Sequence, residues 1–378
     1  MRRWRRDRRW SPSDRRPRRR KRRRLLKLLA LAVLALIIGP AAFIGTQCYG
    51  SGTPAASAAG PLSDIPGAAR EESFTFLTLP EWFIVYSAEE YARFIGRDAP
   101  SAFPYLGSVR QYWTAYDAVC EITRPHYPFQ MGYHVMLGVI GASFTAENVG
   151  KSVYENTIGR LSEWVSSRDT PEDQWAAKTA LEYGAFLHTV PWYQFPFAAR
   201  LGALWSDTPL WGPHLIRKWE RRGVLTAEYA FKAAYGWLMG LATQSAYAPE
   251  ELVVYAHVEN APLVIFTFEG IKSVEQLGPQ AFVITMPRYE AFTKAALAMN
   301  DAGTRFVSIA GNDELLVSAI APAGFVLPPG PASVVVTLPI QTDPGRARLA
   351  VRTPLIALQE TLAALRSGGA TIEHLYDY

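Results

Sequence analysis

The spacing of apolar positions changes along this chain, and each change predicts a different element. From Leu25 to Gly45 the apolar run is nearly continuous, broken by one charge, Lys27, and by a helix-bending Gly39-Pro40. At about 1.5 Å per residue this stretch reaches roughly 30 Å, the thickness of a bilayer's hydrocarbon core. It predicts a transmembrane helix over 25–47, with Lys27 reaching back to the headgroups and Gly and Pro tolerated inside.

Beyond residue 73 the period shifts to three and four. Ser87-Ala88-Glu89-Glu90 reads as a capping box that opens a short helix closed by Gly96, and Thr170-Pro171-Glu172-Asp173 as another, opening a helix to about His188. Leu137, Ile140 and Phe144, followed by Tyr154, Ile158 and Leu161, predict an amphipathic helix over 133–164 with a break near Gly150. A further apolar helix is expected over 225–245, where Gly236 and Gly240 make one GxxxG. Between the last two helices, Pro191 to Trp219 holds four Trp and four Pro in 29 residues. Proline at that density predicts short turns laid over an apolar surface.

After about Glu250 the pattern becomes short β-branched and aromatic runs: VVYAHV, LVIFTF, FVIT, RFVSIA, ELLVSAI and SVVVTL, all predicted as strands. Two of the later segments match. Phe282 to Thr285 leads through Pro287 to a helix with Tyr289, Phe292, Ala296 and Met299, then Gly303 and a strand; Leu349 to Val351 leads through Pro354 to Leu355, Leu358, Leu362 and Leu365, then Gly368-Gly369 and a strand. Each glycine stands where a left-handed C-cap is needed. Gly311-Asn312-Asp313 is placed as a hairpin. The order of these elements resembles ferredoxin-like small-molecule-sensing or dimerising modules, and implies an α+β sandwich with helices on one face of a sheet. The resemblance carries over no binding residue.

Charge sharpens this division. The chain of 378 residues has a formal net charge of +5, but Met1 to Lys27 alone carries +14, which leaves −9 for the remainder. A nucleic-acid reader needs its cations on the folded surface, so nucleic acid is excluded as a partner and the membrane is expected. The positive-inside rule puts the arginine tail in the cytoplasm and the rest of the chain across the membrane. Arg22, Arg23, Leu25, Leu26 and Lys27 also have the order of a twin-arginine export signal. A cleavage site at Ala56-Ser57-Ala58 is the competing reading, but it lies some distance past the apolar run, and an uncleaved anchor is favoured. The expected parts are a basic tail (1–24), a span (25–47), a flexible linker (48–72), a mainly helical, aromatic-rich domain (73–249) and a ferredoxin-like α+β domain (250–378).

No phosphate-binding glycine loop, nucleophile elbow, HExxH or CxxC occurs. Cys48 and Cys120 are expected as unpaired thiols, Cys120 in a core, although an oxidising compartment would allow one bridge. His134, His188 and Glu228 fall on the expected helices and are the candidates for acid, base or metal ligand, without the Glu-x-x-His spacing of helix-bundle metal sites. Trp192, Tyr193, Trp205, Trp211, Arg217, Lys218 and Trp219 are the candidates for an interface with lipid. Cofactor, metal and small-molecule ligand stay unassigned. The first expectation is a single-pass anchored envelope protein whose body binds or scaffolds, with room for a protein partner there. Its alternatives are a histidine and carboxylate metal enzyme in the helical domain, and a multi-span protein.

Overall fold

The computed structural model describes residues 16–53, 60–166, 169–242 and 253–378, leaving aside the side chains of 16–25, 28, 29 and 242. The start of the basic tail, Ala56-Ser57-Ala58 and the end of the helix expected to reach Ser245 lie outside these residues.

Helix α1 (Arg16–Phe43) runs on through a wide turn, Ile44–Cys48. Among the described residues Ala30–Cys48 is the one stretch long and apolar enough to cross a membrane, with mean hydropathy 1.9. Its side chains, Leu34 and Ile37 among them, point into open space. It meets the body at its end. Gly138 lies so close there that a Cβ would stand 2.9 Å from Ile44 Cδ1, and Phe43 packs on Trp113 and Tyr116 at 5.1 Å. The two cysteines are not free thiols. Cys48 and Cys120 form a disulfide across a sequence separation of 72, with Cα atoms 4.6 Å apart.

Parts of the expected linker pack on the body. Ser51 bridges to Pro128, and Leu62, Ile65 and Ala68 pack on Val283 and Tyr255, so that residues 60–69 cover one face of the first sheet.

Six more helices of the body follow: α2 (Phe74–Ile95), α3 (Tyr105–His126), α4 (Met131–Tyr154), α6 (Pro171–Leu187), α7 (Phe197–Asp207) and α8 (Leu215–Ala242), with the short α5 (Arg160–Val165) continuing α4. Ser87 caps nothing. It lies inside α2, buried, with Glu90 one turn on, because a Ser-x-x-Glu pair sits on one face of a helix interior as readily as at its start. Thr170 does cap α6, its hydroxyl accepting from Asp173 N–H while Asp173 accepts from Thr170 N–H. The long helix over α4 and α5 is uninterrupted at Gly150 and instead widens at Glu155–Gly159. A Cβ on Gly159 would collide with the Glu155 carboxylate, so the glycine makes room for a buried acid. Within the proline-rich segment one real helix, α7, forms between the prolines.

All strands among the described residues lie beyond residue 253. β1 (Val253–Glu259), β2 (Lys272–Gly278), β3 (Ala281–Pro287), helix α9 (Tyr289–Asp301) and β4 (Arg305–Ile309) make the first repeat; β5 (Glu314–Pro322), β6 (Ser333–Pro339), β7 (Arg346–Pro354), α10 (Leu358–Ser367) and β8 (Thr371–Tyr376) make the second. Each repeat builds its own antiparallel four-stranded sheet, in the orders β2-β3-β1-β4 and β6-β7-β5-β8. The two sheets are the same topology used twice. LVIFTF is not a strand but a single turn, Leu263–Thr267, after Pro262, and the exposed edge strand β2 was hidden by its polar sequence. Gly303 (φ +88°) and Gly369 (φ +78°) adopt the left-handed conformation at the two helix ends.

One core takes apolar residues from both sheets and from α9 and α10. The opposite face of the second sheet joins another. β5 is buried on both faces: Leu315, Val317 and Ala319 go to the shared core, while Leu316 meets α2 and α3 together with Leu338, Ala350 and Tyr376. The switch near residue 250 is therefore a change of secondary structure without a gap in packing.

Candidate functional site

Helix α8 carries its charges on its inner side. Arg217, Lys218, Arg221 and Arg222 recur at spacings of one, three and four, and all four are buried. The N-terminus of α6 supplies two partners. Asp173 accepts from Arg217 Nη2 at 2.7 Å, and Glu172 accepts from Lys218 at 2.8 Å and from Arg222 at 2.6 Å. Glu155, pushed inward by the widened turn, takes both ends of the Arg221 guanidinium at 2.9 and 3.0 Å, while Glu220 bridges Arg221, Ser162 and Tyr154. Arg222 lies between the rings of Trp205 and Trp219, at 5.2 and 5.3 Å. Two turns on, Glu147 and Lys151 of α4 meet Glu228 and Lys232 of α8 in a closed ring of alternating charge, with all four contacts at 2.9 Å.

This ring stands between two cavities. The larger, about 540 Å³, is walled by Glu147, Lys151, Glu155, Arg221, Glu228 and Tyr91. The smaller, about 80 Å³, continues on the other side among Tyr105, Tyr183, Tyr229 and Lys232. Tyr91, Glu147, Lys151 and Glu228 border both. A ligand entering here meets no spare charge, because each cation of the ring already faces two carboxylates. It can replace a contact without stranding a buried ion only if it brings charge of both signs.

A second cluster joins the helices to the repeats. His188, at the C-terminus of α6, puts Nε2 2.6 Å from Glu89 of α2 and Nδ1 3.6 Å from Glu290 of α9. The first is a hydrogen bond and the second an ion-pair distance. The carboxylates of Glu290 and Glu89 together push the His188 pKa up to about 9. His374 of β8 lies on the far side of Glu290, 3.8 Å from it, with Nδ1 on the Thr293 hydroxyl at 2.9 Å and its ring against Trp82 at 3.6 Å. Burial pushes the His374 pKa down. Burial would raise Glu290, but the two histidines hold it at about 2. None of the four borders either cavity described.

No known protein family, curated protein or solved structure matches this chain.

The three residues singled out as acid, base or ligand go to three different settings. His134 receives or donates to the Tyr116 hydroxyl through Nδ1 at 2.8 Å, stacks on Phe129 at 4.6 Å, and is pushed by burial down to about 4. His188 belongs to the junction and Glu228 to the ring. Among the described residues the one group of three metal-capable donors is Cys48, Cys120 and His134, within 4.8 Å of one another. Its sulfurs are joined to each other, and a metal takes the thiolate, so the disulfide form offers the imidazole alone.

The residues expected at lipid divide. Arg217 and Lys218 do not face outward: both are buried in ion pairs. Trp192 stacks on Tyr235 at 5.1 Å, and the backbone of Tyr193 fills the groove left by Gly236, with its ring beside Gly240. Trp205, Trp211 and Trp219 are exposed. Of the ring, Glu228 alone is singled out from the sequence as a candidate acid, base or ligand. The signal for the rest was present in Glu147/Lys151 and Glu228/Lys232, two acid-base pairs at i, i+4 on otherwise apolar helices.

Proposed function

We propose that the protein is a membrane-anchored envelope protein whose body works on the extracytoplasmic side as a binding module, with the charged double cavity as its ligand site. The observation that carries this reading is the Cys48–Cys120 bridge, which staples the end of the apolar span directly to the body that holds the cavity. Disulfides persist in oxidising compartments, which is the side opposite the arginine tail under the positive-inside rule. The ring of Glu147, Lys151, Glu228 and Lys232 supports a small ligand bearing both an ammonium or guanidinium and a carboxylate or phosphate. The strand order of each C-terminal repeat, with one crossover helix, supports reading the repeats as two ferredoxin-like units that lack a first helix.

Protease added to sealed membrane preparations tests the reading. The body should be degraded in right-side-out vesicles and protected in inverted ones, and the full chain should migrate faster on a non-reducing gel than its Cys48→Ser variant. Protection in right-side-out vesicles with digestion in inverted ones would overturn the topology.

A further inference from the structure

We infer that α4, α5 and α8 form a lipid-contact face that lies on the outer surface of the bilayer crossed by α1. This rests on the anchor reading above, and goes beyond it by assigning a second, separate membrane contact to the body.

The pattern of α8 is inverted relative to a helix in water. A solvated amphipathic helix keeps its apolar stripe inside and its charges outside. Every charged residue of α8, from Arg217 to Lys232, is instead turned inward onto a partner. What α8 exposes is Ile216, Trp219, Phe231, Trp237, Leu238 and Leu241, with glycine and alanine between them. Phe231 and Trp237 are each 69% exposed, which in a surface helix facing water is a heavy load for one stripe.

Helices α4 and α5 add apolar side chains to this face, although Arg160 of α5 is exposed as well. Val135, Val139, Val149, Val153 and Leu161 are exposed, and Trp164 is 89% exposed at the end of α5. Helices α4 and α8 are antiparallel neighbours, as the pairs Ser143 with Tyr235, Glu147 with Lys232, Lys151 with Glu228 and Glu155 with Arg221 show. On a wheel of 3.6 residues per turn, both apolar stripes fall on the same side of this seam. The inward contacts of α4 to α3 and of α8 to α6 and α7 fall on the other. The result is a largely apolar face rather than scattered residues, interrupted by Asn156, Thr157 and Arg160 toward α5.

The bilayer is the occupant because of where α1 leaves. The span ends against Gly138 of α4, beside Val135 and Val139, and the disulfide holds it there. The apolar face therefore begins where the anchor emerges. Tryptophans mark both ends of it, Trp219 and Trp164 at one and Trp237 at the other, with Trp219 and Trp237 roughly 27 Å apart along the axis. Their rings suit the headgroup level. Neither α4 nor α8 meets the length and apolarity of a span, which favours lying on the membrane over crossing it.

The full chain in phosphatidylcholine and phosphatidylglycerol vesicles provides the test. Because the native cysteines are bonded, a nitroxide placed through Phe231→Cys, Val153→Cys, Leu34→Cys or Lys294→Cys reports each site separately. Collision with oxygen relative to a water-soluble nickel chelate should be several-fold higher at 231 and 153 than at 294, which lies on the exposed side of α9. A ratio at 231 and 153 equal to that at 294 would overturn the lipid face, provided 34 is lipid-like. Spin-spin broadening at 231 and 153 would overturn it in favour of a second copy of the chain. A water-like ratio at 34 would sink the anchor reading itself.

Discussion

Arg348 projects from the middle of β7 into the packing between α2 and the second sheet. It holds Glu373 through Nε and Nη2 at 2.7 and 2.9 Å, reaches Glu90 at 3.2 Å and lies over the Tyr86 ring at 4.1 Å. Arg348 and Glu90 are both buried, and removing one partner of such a set leaves the other as an uncompensated charge. Arg348→Met should cost about 3 to 5 kcal/mol in chemical denaturation, and adding Glu90→Gln with Glu373→Gln should recover part of it. His188 gives a pH test. Its folded pKa, about 9, lies above the ordinary histidine value, so its contribution is complete below about 6.5 and is lost as pH rises through 9. Glu290 has the opposite sign, contributing above the ordinary carboxylate range and losing it as pH falls through about 2. The thermal midpoint of the detergent-solubilised chain should fall between pH 7 and 10. His188→Gln should flatten that slope and cost about 1 kcal/mol at pH 7, a small figure because the group is partly open to water.

At the scale of elements, local rules and tertiary context can be separated helix by helix. Thr170-Pro171-Glu172-Asp173 is a capping box in sequence and in structure, and Thr170→Ala should lower stability by about 1 kcal/mol. Ser87 to Glu90 follows the same rule and caps nothing, because the apolar run from Phe74 carries α2 through it. LVIFTF fails as a strand for a related reason: a short apolar run reports burial without geometry, and Pro262 starts a turn. The charged ring between α4 and α8 supplies a sharper prediction. Lys151→Met leaves Glu147 and Glu228 facing each other across Lys232 and should destabilise by about 1 to 2 kcal/mol, less than for a fully buried pair because Glu147 is 40% exposed, with Lys151→Met/Glu228→Gln milder than the single change. Equal losses in the two variants, measured by denaturant unfolding, would mean that the ring does not act as a unit.

For the molecule as a whole, the disulfide is the element that ties the apolar N-terminal helix to the body. Closing a separation of 72 residues, it should stabilise the fold by about 4 kcal/mol on chain-entropy grounds. Reduction, or Cys48→Ser with Cys120→Ser, should lower the thermal midpoint of the body, and it should free α1 from Gly138 without releasing the chain from membranes. The second architectural tie is between the repeats. Helix α9 lies against β8, the Thr293 hydroxyl bonding to His374 Nδ1 and accepting from Leu375 N–H, while Leu355 N–H, in the turn before α10, donates to Asp313 O. The two repeats thus share one core, which takes apolar residues from both sheets and from α9 and α10.

The sequence by itself determined what depends on neighbours along the chain: the apolar helix long enough to span a membrane and its basic flank, the α6 cap, the duplicated strand-helix-strand texture and the glycine ends of α9 and α10. Those are one-dimensional properties, set by transfer free energy over a continuous run or by the dihedral needs of a few adjacent residues. Only the tertiary structure decided which face of a helix meets what. Arg217 and Lys218 read as part of a lipid-facing surface because burying a charge is costly, and they lie inside because Asp173 and Glu172, 44 and 46 residues away, offset that cost. The helix expected over 225–245 read as apolar without a direction, and in the structure Phe231, Trp237 and Leu238 of α8 point outward. Cysteines 72 residues apart form a bridge that spacing could permit but not select. Partners distant in sequence set the sign of each of these, and no local period records them.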